Sequence, residues 1–335
     1  MYNNIELNDI LIKLGQIDYI SIIRYLSEPV VATYVTAYVC KNIKLHKDFT
    51  PKNISRISLP PELTQKYSKV DIENLASKYL GEAVTEFAKV IMDRFPSKDL
   101  TNFYNNLNEL KITKTNFWFP NLVFQSRVGG GYTVKNNKIL VDKNNGSVSI
   151  YHELFHMASS IYKDGIDYCG FRQASLKPGR VNLGTGINEG YTQKMTERYF
   201  GYIKGVRGSC YNLLSCFADN LERIIGQEKM ESLYLNANLL GLINELKNYA
   251  SEEEIAKFIS STDFLYNYVI YSNIKSFPGA KEMIKSSLKT ANEFLFRTYA
   301  IKLKKQLDNG MIDINELHKN LIMKCSYPFI TPDDK

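Results

Sequence analysis

Histidine is scarce in this chain, with four copies in 335 residues, and tryptophan occurs once. Cysteine is scarce too. Its five copies, Cys40, Cys169, Cys210, Cys216 and Cys325, are odd in number and include no C-x-x-C pair. That argues against a disulfide framework and against a thiolate zinc site, and points to reduced thiols in a cytoplasmic protein. Long apolar runs are missing. The most apolar stretch, Pro29 to Cys40 (PVVATYVTAYVC), is shorter than the ~20 residues a helix needs to cross a bilayer and reads as a buried helix. The N-terminus, MYNNIELNDILIKLG, carries Glu6 and Asp9 and no continuous apolar segment, so it does not read as a signal peptide. A long basic run is also missing. The net charge of +7 is spread thinly, and the densest clusters, Lys41 to Lys52 and Lys302 to Lys305, read as solvated helix faces. No nucleic-acid partner and no membrane span are expected.

What is present suffices for a folded core. Hydrophobic residues make up 44% and charged residues 23%, which fits one large domain or two intimately packed ones. Lysine, asparagine, isoleucine and tyrosine are abundant, as in proteins of AT-rich bacteria. Residues 5–115 read mainly as helices. Asp71 to Phe95 is the clearest, with Leu75, Tyr79, Val84, Phe87, Val90 and Ile91 approximating one stripe, closed by Phe95-Pro96. Lys52 to Pro61 reads as a proline-flanked loop. Between about 112 and 145 the chain turns aromatic and β-branched, broken by glycine and asparagine, and reads as strands. Asn136-Asn137 marks a hairpin turn between YTVK and KILVD, and Asn144-Asn145-Gly146 ends the sheet. A helix follows, with Ser147 or Ser149 as its N-cap. Its apolar stripe runs Tyr151, Leu154, Phe155, Ala158 and Tyr162. Residues 163–186 read as an irregular connection or a small hairpin, and Ile187 to about Lys324 as helical again. This is an α+β arrangement, predominantly helical.

Two of the four histidines fall inside YHELFHMASS, as His152-Glu153-Leu154-Phe155-His156, an H-E-x-x-H pattern. Helix positions four apart lie about 40° apart around the axis and one turn along it. His152 and His156 therefore project side by side, and both imidazoles can reach one tetrahedral Zn²⁺. Glu153 can lie beside the metal without coordinating it, next to the position of a water whose proton it can take. With histidine this scarce, a chance H-E-x-x-H is expected in well under ~1% of such chains. Two histidines leave the ligand set incomplete. The next candidate is Glu189, in GTGINEGYTQKMTERYF, where Ile187, Tyr191, Met195 and Tyr199 form a helical stripe. Glu189 is a hard oxygen ligand near a buried face, where a charge needs a partner. Gly190 beside it allows another backbone or a ligand to approach closely.

H-E-x-x-H followed by a helix bearing N-E-G resembles the gluzincin metallopeptidases, over roughly residues 115–205, as a divergent bacterial member. The resemblance implies that His152, His156 and Glu189 bind Zn²⁺ and that Glu153 is the general base. It implies a zincin-like core, with a small mixed sheet, the H-E-x-x-H helix and the glutamate-ligand helix, between helical flanks. The corresponding regions are 1–111, 112–205 and 206–335. The implied activity is zinc-dependent hydrolysis of peptide bonds in a peptide or protein substrate. Three departures stand out. His156 and Glu189 are 189 − 156 = 33 positions apart, so 157–186 is an insertion relative to common gluzincins. Gln193 stands where many of them have an aspartate that orients a zinc histidine. No G-x-M-E-N exopeptidase motif occurs. GGGYT is a candidate edge strand for an extended substrate. His318 is a candidate donor to the oxyanion, whereas His46 reads as a surface or satisfied histidine and Tyr191 as a core residue. Cys210 and Cys216 read as buried apolar residues. The competing readings are a non-catalytic zincin-like binding or structural protein, and a leaderless bacterial protease effector.

Overall fold

A computed structural model describes residues 54–115, 130–142, 146–175, 182–203, 206, 211–270 and 279–325. The expected helices before residue 54, with Pro29 to Cys40 and His46, lie outside these residues, as do Cys210 and the aromatic segment 116–129.

The clearest predicted helix is two helices, α1 (Lys69–Tyr79) and α2 (Glu82–Arg94). Gly81 between them sits at φ 79°, a left-handed conformation that a glycine adopts without steric cost and that ends a helix. The break rotates the two stripes apart. Ile72 and Ala76 are the buried positions of α1, while Tyr79, expected inside, is 66% exposed. Val84, Phe87, Ala88, Ile91 and Met92 form the buried stripe of α2. Helix α3 (Thr101–Asn108) completes this group.

A three-stranded mixed sheet follows, in the order β1 (Lys111–Thr115), β3 (Lys138–Asp142), β2 (Gly130–Thr133). β1 runs parallel to β3, and β2 antiparallel to it, with Gly131 opposite Leu140. The expected turn between β2 and β3 is present, with Asn137 left-handed at φ 44°. Ile139 and Val141 point from β3 into the core by the period-2 rule. Helix α4 (Gly146–Ala158) carries the H-E-x-x-H segment and packs on β2 and β3. Both proposed cap serines lie within its first turn, so neither Ser147 nor Ser149 is the N-cap. Its stripe holds through Tyr151, Leu154, Phe155 and Ala158, which are at most 5% exposed. Tyr162 does not belong to it, because the helix has ended and Tyr162 lies on a strand, 38% exposed.

The segment expected to be an irregular connection or a small hairpin is a four-stranded antiparallel meander, β4 (Ser160–Lys163), β5 (Ile166–Cys169), β6 (Arg172–Ser175) and β7 (Asn182–Leu183). Its first turn is Asp164-Gly165, with both φ values positive at 55° and 78°, the backbone that a two-residue hairpin prefers. Helix α5 (Thr185–Phe200) then carries Glu189. α6 (Asn212–Ile225), α7 (Gln227–Leu235), α8 (Leu239–Leu246), α9 (Glu252–Ile270), α10 (Ala280–Asp308) and α11 (Ile314–Cys325) follow. The fold is thus α+β with helix in excess.

One core cluster draws on buried side chains from Ile54 to Leu295. Aromatic rings lock the elements around α4 and α5. Phe87 of α2 meets Phe155 of α4 edge-on at 5.0 Å and stacks on Phe200 of α5 at 5.5 Å, and Tyr151 stacks on Phe200 at 4.6 Å. Each such pair adds about 0.5–1.5 kcal/mol beyond its area burial. Among the described residues, no helix is long and apolar enough to cross a membrane.

Candidate metal centre

α4 and α5 pack so that His152, His156 and Glu189 meet in the interior, each residue 6–9% exposed. His152 Nε2 lies 3.2 Å from Glu189 Oε2, His156 Nε2 lies 3.4 Å from Glu189 Oε1, and the two Nε2 atoms are 3.1 Å apart. A tetrahedral ion with ligand bonds of 2.0–2.1 Å requires donors about 3.3 Å apart. These contacts use both Glu189 oxygens, and with one ligand atom from each residue all three atoms lie within 4.8 Å of one another, close enough that the group could hold a single ion. Among the described residues this is the group of histidine, cysteine and carboxylate side chains able to hold one.

The electrostatics fit a cation as well. Burial opposes charge on Glu189, yet the two imidazoles outweigh it and hold its carboxyl well below the usual range. Burial also opposes charge on both rings. It prevails at His156, whose pKa is lowered, whereas at His152 the hydrogen bond and charge of Glu189 reverse it. A metal would replace the shared proton and bind the same anion. Glu153 is 6% exposed and outside the triad. Burial pushes its carboxyl up to about 7. A Cβ added at Gly130 would stand 3.0 Å from Glu153 Oε1, so β2 passes directly against this carboxylate.

α5 is fixed at both ends. Asp263 of α9 accepts the N–H groups of Gly184 at 2.9 Å, Gly186 at 2.8 Å and Thr185, satisfying free donors of the first turn. Further along, Lys194 pairs with Asp219 at 2.5 Å, and Arg198 with Glu222 at 2.5 Å and Glu231 at 2.6 Å. The backbone approach allowed by Gly190 comes from α6, with Leu214 O 2.3 Å from where a Cβ would sit.

The rings are oriented from behind. Gln193 lies behind His152 and favours its charged form through a side-chain hydrogen bond. Its Nε2 donates to Glu197 Oε1 at 2.6 Å and Val206 O at 3.3 Å, which leaves Oε1 to accept from the imidazole. Tyr211 stacks on His152, centroids 5.3 Å apart and planes 15° apart. Around His156 Nδ1 stand Asn188, Cys169 and Thr192. The 33-position spacing is filled by the β4–β7 meander, whose β5–β6 turn brings Cys169 and Phe171 behind His156.

The structure thus unites His152, Glu153, His156 and Glu189. It does not bring His318 to them, because that residue is exposed on α11, which packs on α10. Tyr191 is fully buried in the core, its hydroxyl donating to Glu222 at 3.1 Å. Cys216, expected to be buried, is exposed, because it falls on the outer face of the amphipathic helix α6. Sequence reasoning missed Asn188, Thr192, Tyr211, Tyr234 and Asp263. Of these only Thr192 carries a signal, one helical turn beyond Asn188 on the same face as Glu189. Comparison with protein-family models, curated proteins and solved structures finds no match.

Proposed function

We propose that the protein is a zinc-dependent metallopeptidase of gluzincin type, with β1–β3, α4 and α5 as a zincin-like core. The observation that carries this reading is the buried convergence of His152, His156 and Glu189, with ligand atoms within 4.8 Å of one another and Glu153 beside them. Two imidazoles and one carboxylate suit zinc, and three protein ligands leave one tetrahedral position free for chemistry. Bound zinc would polarise a carbonyl and make a water molecule acidic enough to attack near neutral pH. Glu153, beside the triad, would take a proton from the attacking water and give it to the leaving amine. A buried carboxylate beside the triad is placed for both transfers.

β2 supports a peptide substrate. It is an edge of the sheet among the described residues, and its Gly130 end touches Glu153. An extended peptide adding to that edge by main-chain hydrogen bonds would bring a carbonyl to the base. The test is Glu153→Gln, with zinc content and cleavage of a mixed peptide library measured together. The variant keeps stoichiometric zinc and loses at least ~100-fold in turnover. Unchanged turnover, or a wild-type protein that takes up no zinc, would overturn the reading.

A further inference from the structure

An imidazole that binds a metal through Nε2 carries its proton on Nδ1, and that N–H needs an acceptor. Three side-chain atoms lie near His156 Nδ1: Asn188 Nδ2 at 3.3 Å, Cys169 Sγ at 3.5 Å and Thr192 Oγ1 at 3.5 Å. Asn188 is nearest but cannot accept. Its Oδ1 receives the Phe171 N–H at 3.0 Å, which turns its NH₂ group toward the ring. Either orientation of the amide sets two donors against each other, its NH₂ against the Nδ1–H at 3.3 Å as it stands or against the Phe171 N–H if reversed, and the shorter backbone bond at 3.0 Å favours the first. Cys169 Sγ lies 3.6 Å from the His156 carbonyl oxygen, its own acceptor, and a neutral sulfur accepts weakly.

Thr192 remains. Its hydroxyl donates to the Asn188 carbonyl at 2.7 Å and lies 2.6 Å from the Tyr234 hydroxyl. With the threonine hydrogen committed to Asn188, the Tyr234 bond has the phenol as donor. A hydroxyl oxygen has two lone pairs. One takes the Tyr234 hydrogen, and the other is left for His156. Tyr234 is fully buried, and its ring packs edge-on to Phe171 at 5.6 Å, so its hydroxyl is held in place.

We propose that Thr192, oriented by Tyr234, is the positioning residue that holds His156 in its metal-binding tautomer. The proposal rests on the metal reading of the triad. Its test is zinc affinity, measured by competition with a chromogenic chelator, for wild type, Thr192→Val, Thr192→Ser and Tyr234→Phe. Removing such a partner of a ligating histidine costs ~10–100-fold in affinity. That loss is expected for Thr192→Val, with recovery to within about threefold in Thr192→Ser and a smaller loss in Tyr234→Phe. A merely structural threonine would lower stability and leave zinc affinity alone. ¹⁵N–¹H spectra of the zinc-loaded wild type should place the His156 proton on Nδ1, with faster exchange in Thr192→Val. If Thr192→Val does not fold, Tyr234→Phe, which keeps the ring packing, decides. Zinc affinity within threefold of wild type in every folded variant overturns the proposal. A wild type that binds no zinc overturns both it and the metal reading, whereas a failure confined to the variants leaves the metal reading standing.

Discussion

Gly190→Ala tests whether α5 is seated by backbone contact. In an open helix interior, glycine to alanine stabilises by about 0.8–1.0 kcal/mol. At Gly190 the new Cβ would stand 2.3 Å from Leu214 O and 2.5 Å from its carbonyl carbon. Ordinary contact begins near 3.4 Å, a shortfall of about 1 Å. Both offending atoms are backbone of α6, and no rotamer change relieves them. The Lys194–Asp219 and Arg198–Glu222 pairs hold α6 against α5, so the helices must part where Tyr191 and Leu214 fill the core. Overpacking of this kind costs about 3 kcal/mol, at the upper end of its usual range. Subtracting the helix-propensity gain leaves a net loss of about 2 kcal/mol. That is a fall of roughly 3–6 °C in Tm, read by thermal and urea denaturation. The same shift moves Glu189, the neighbouring residue, by a sizeable part of an ångström. Zinc affinity should therefore fall by more than ~10-fold. Gly81→Ala is the control. Nothing lies within 4 Å of its Cβ position, so only its φ of 79° is strained, at a cost of about 1 kcal/mol with zinc affinity unchanged. A Gly190→Ala protein as stable as wild type, with unaltered zinc affinity, would refute the reasoning.

Two further outcomes are expected. Glu254 is held at about 2 by its pairing with Arg297 and by the N–H and hydroxyl of Ser251. Its folded pKa is depressed, so its stabilisation is present above about pH 4.3 and is lost as pH falls toward 2. The group is partly exposed, so solvent screening limits the effect to about 1 kcal/mol. Glu254→Gln should be less stable by that amount at pH 7 in urea denaturation. The gap should narrow between pH 5 and 3, and a constant gap would contradict this account. Gln193→Leu removes the acceptor for His152, and chelator competition should show zinc bound ~10-fold more weakly. Unchanged affinity would mean that Tyr211 stacking alone orients the ring.

The parts of the site legible in the sequence are those that helix geometry converts from spacing into direction. His152 and His156 share a face because they are four apart. Gln193 follows Glu189 by the same offset, so its place behind a ring was readable. Asp263, Tyr211 and Tyr234 were not, because each reaches the site across many residues and no local pattern marks it. The fold divides the same way. The α4 stripe was readable to Ala158 but not its end before Tyr162, because a tyrosine at helical spacing can as well begin a strand. The Asp164-Gly165 turn is a hairpin signal, but the glycine-rich run around it masked three further strands. Gly81 split a helix whose apolar pattern alone reads as continuous, since only backbone conformation shows the break.

On the proposed gluzincin reading, two of the three departures converge on one electrostatic feature. A carboxylate behind a ligating histidine adds negative charge to the ring it orients, raising its basicity and lessening the metal's pull on water. Here the group behind His152 is an amide, fixed by Glu197 and Val206, and the groups around His156 Nδ1 are an amide, a thiol and a hydroxyl. On that reading, the described carboxylates that meet the site directly are Glu189, as ligand, and Glu153, as base, with Glu197 one hydrogen bond further out behind Gln193. A dication held by one carboxylate keeps a net positive charge, and in a buried site that charge favours ionised Glu153 and an acidic water. The inserted meander belongs to the same device. Its Phe171 N–H sets the Asn188 amide, and that setting leaves the Thr192 hydroxyl as the acceptor for His156. On the proposed reading the long spacing and the missing aspartate are linked, because neutral groups of α5, set by Phe171 of the meander and Tyr234 of α7, would orient the two imidazoles.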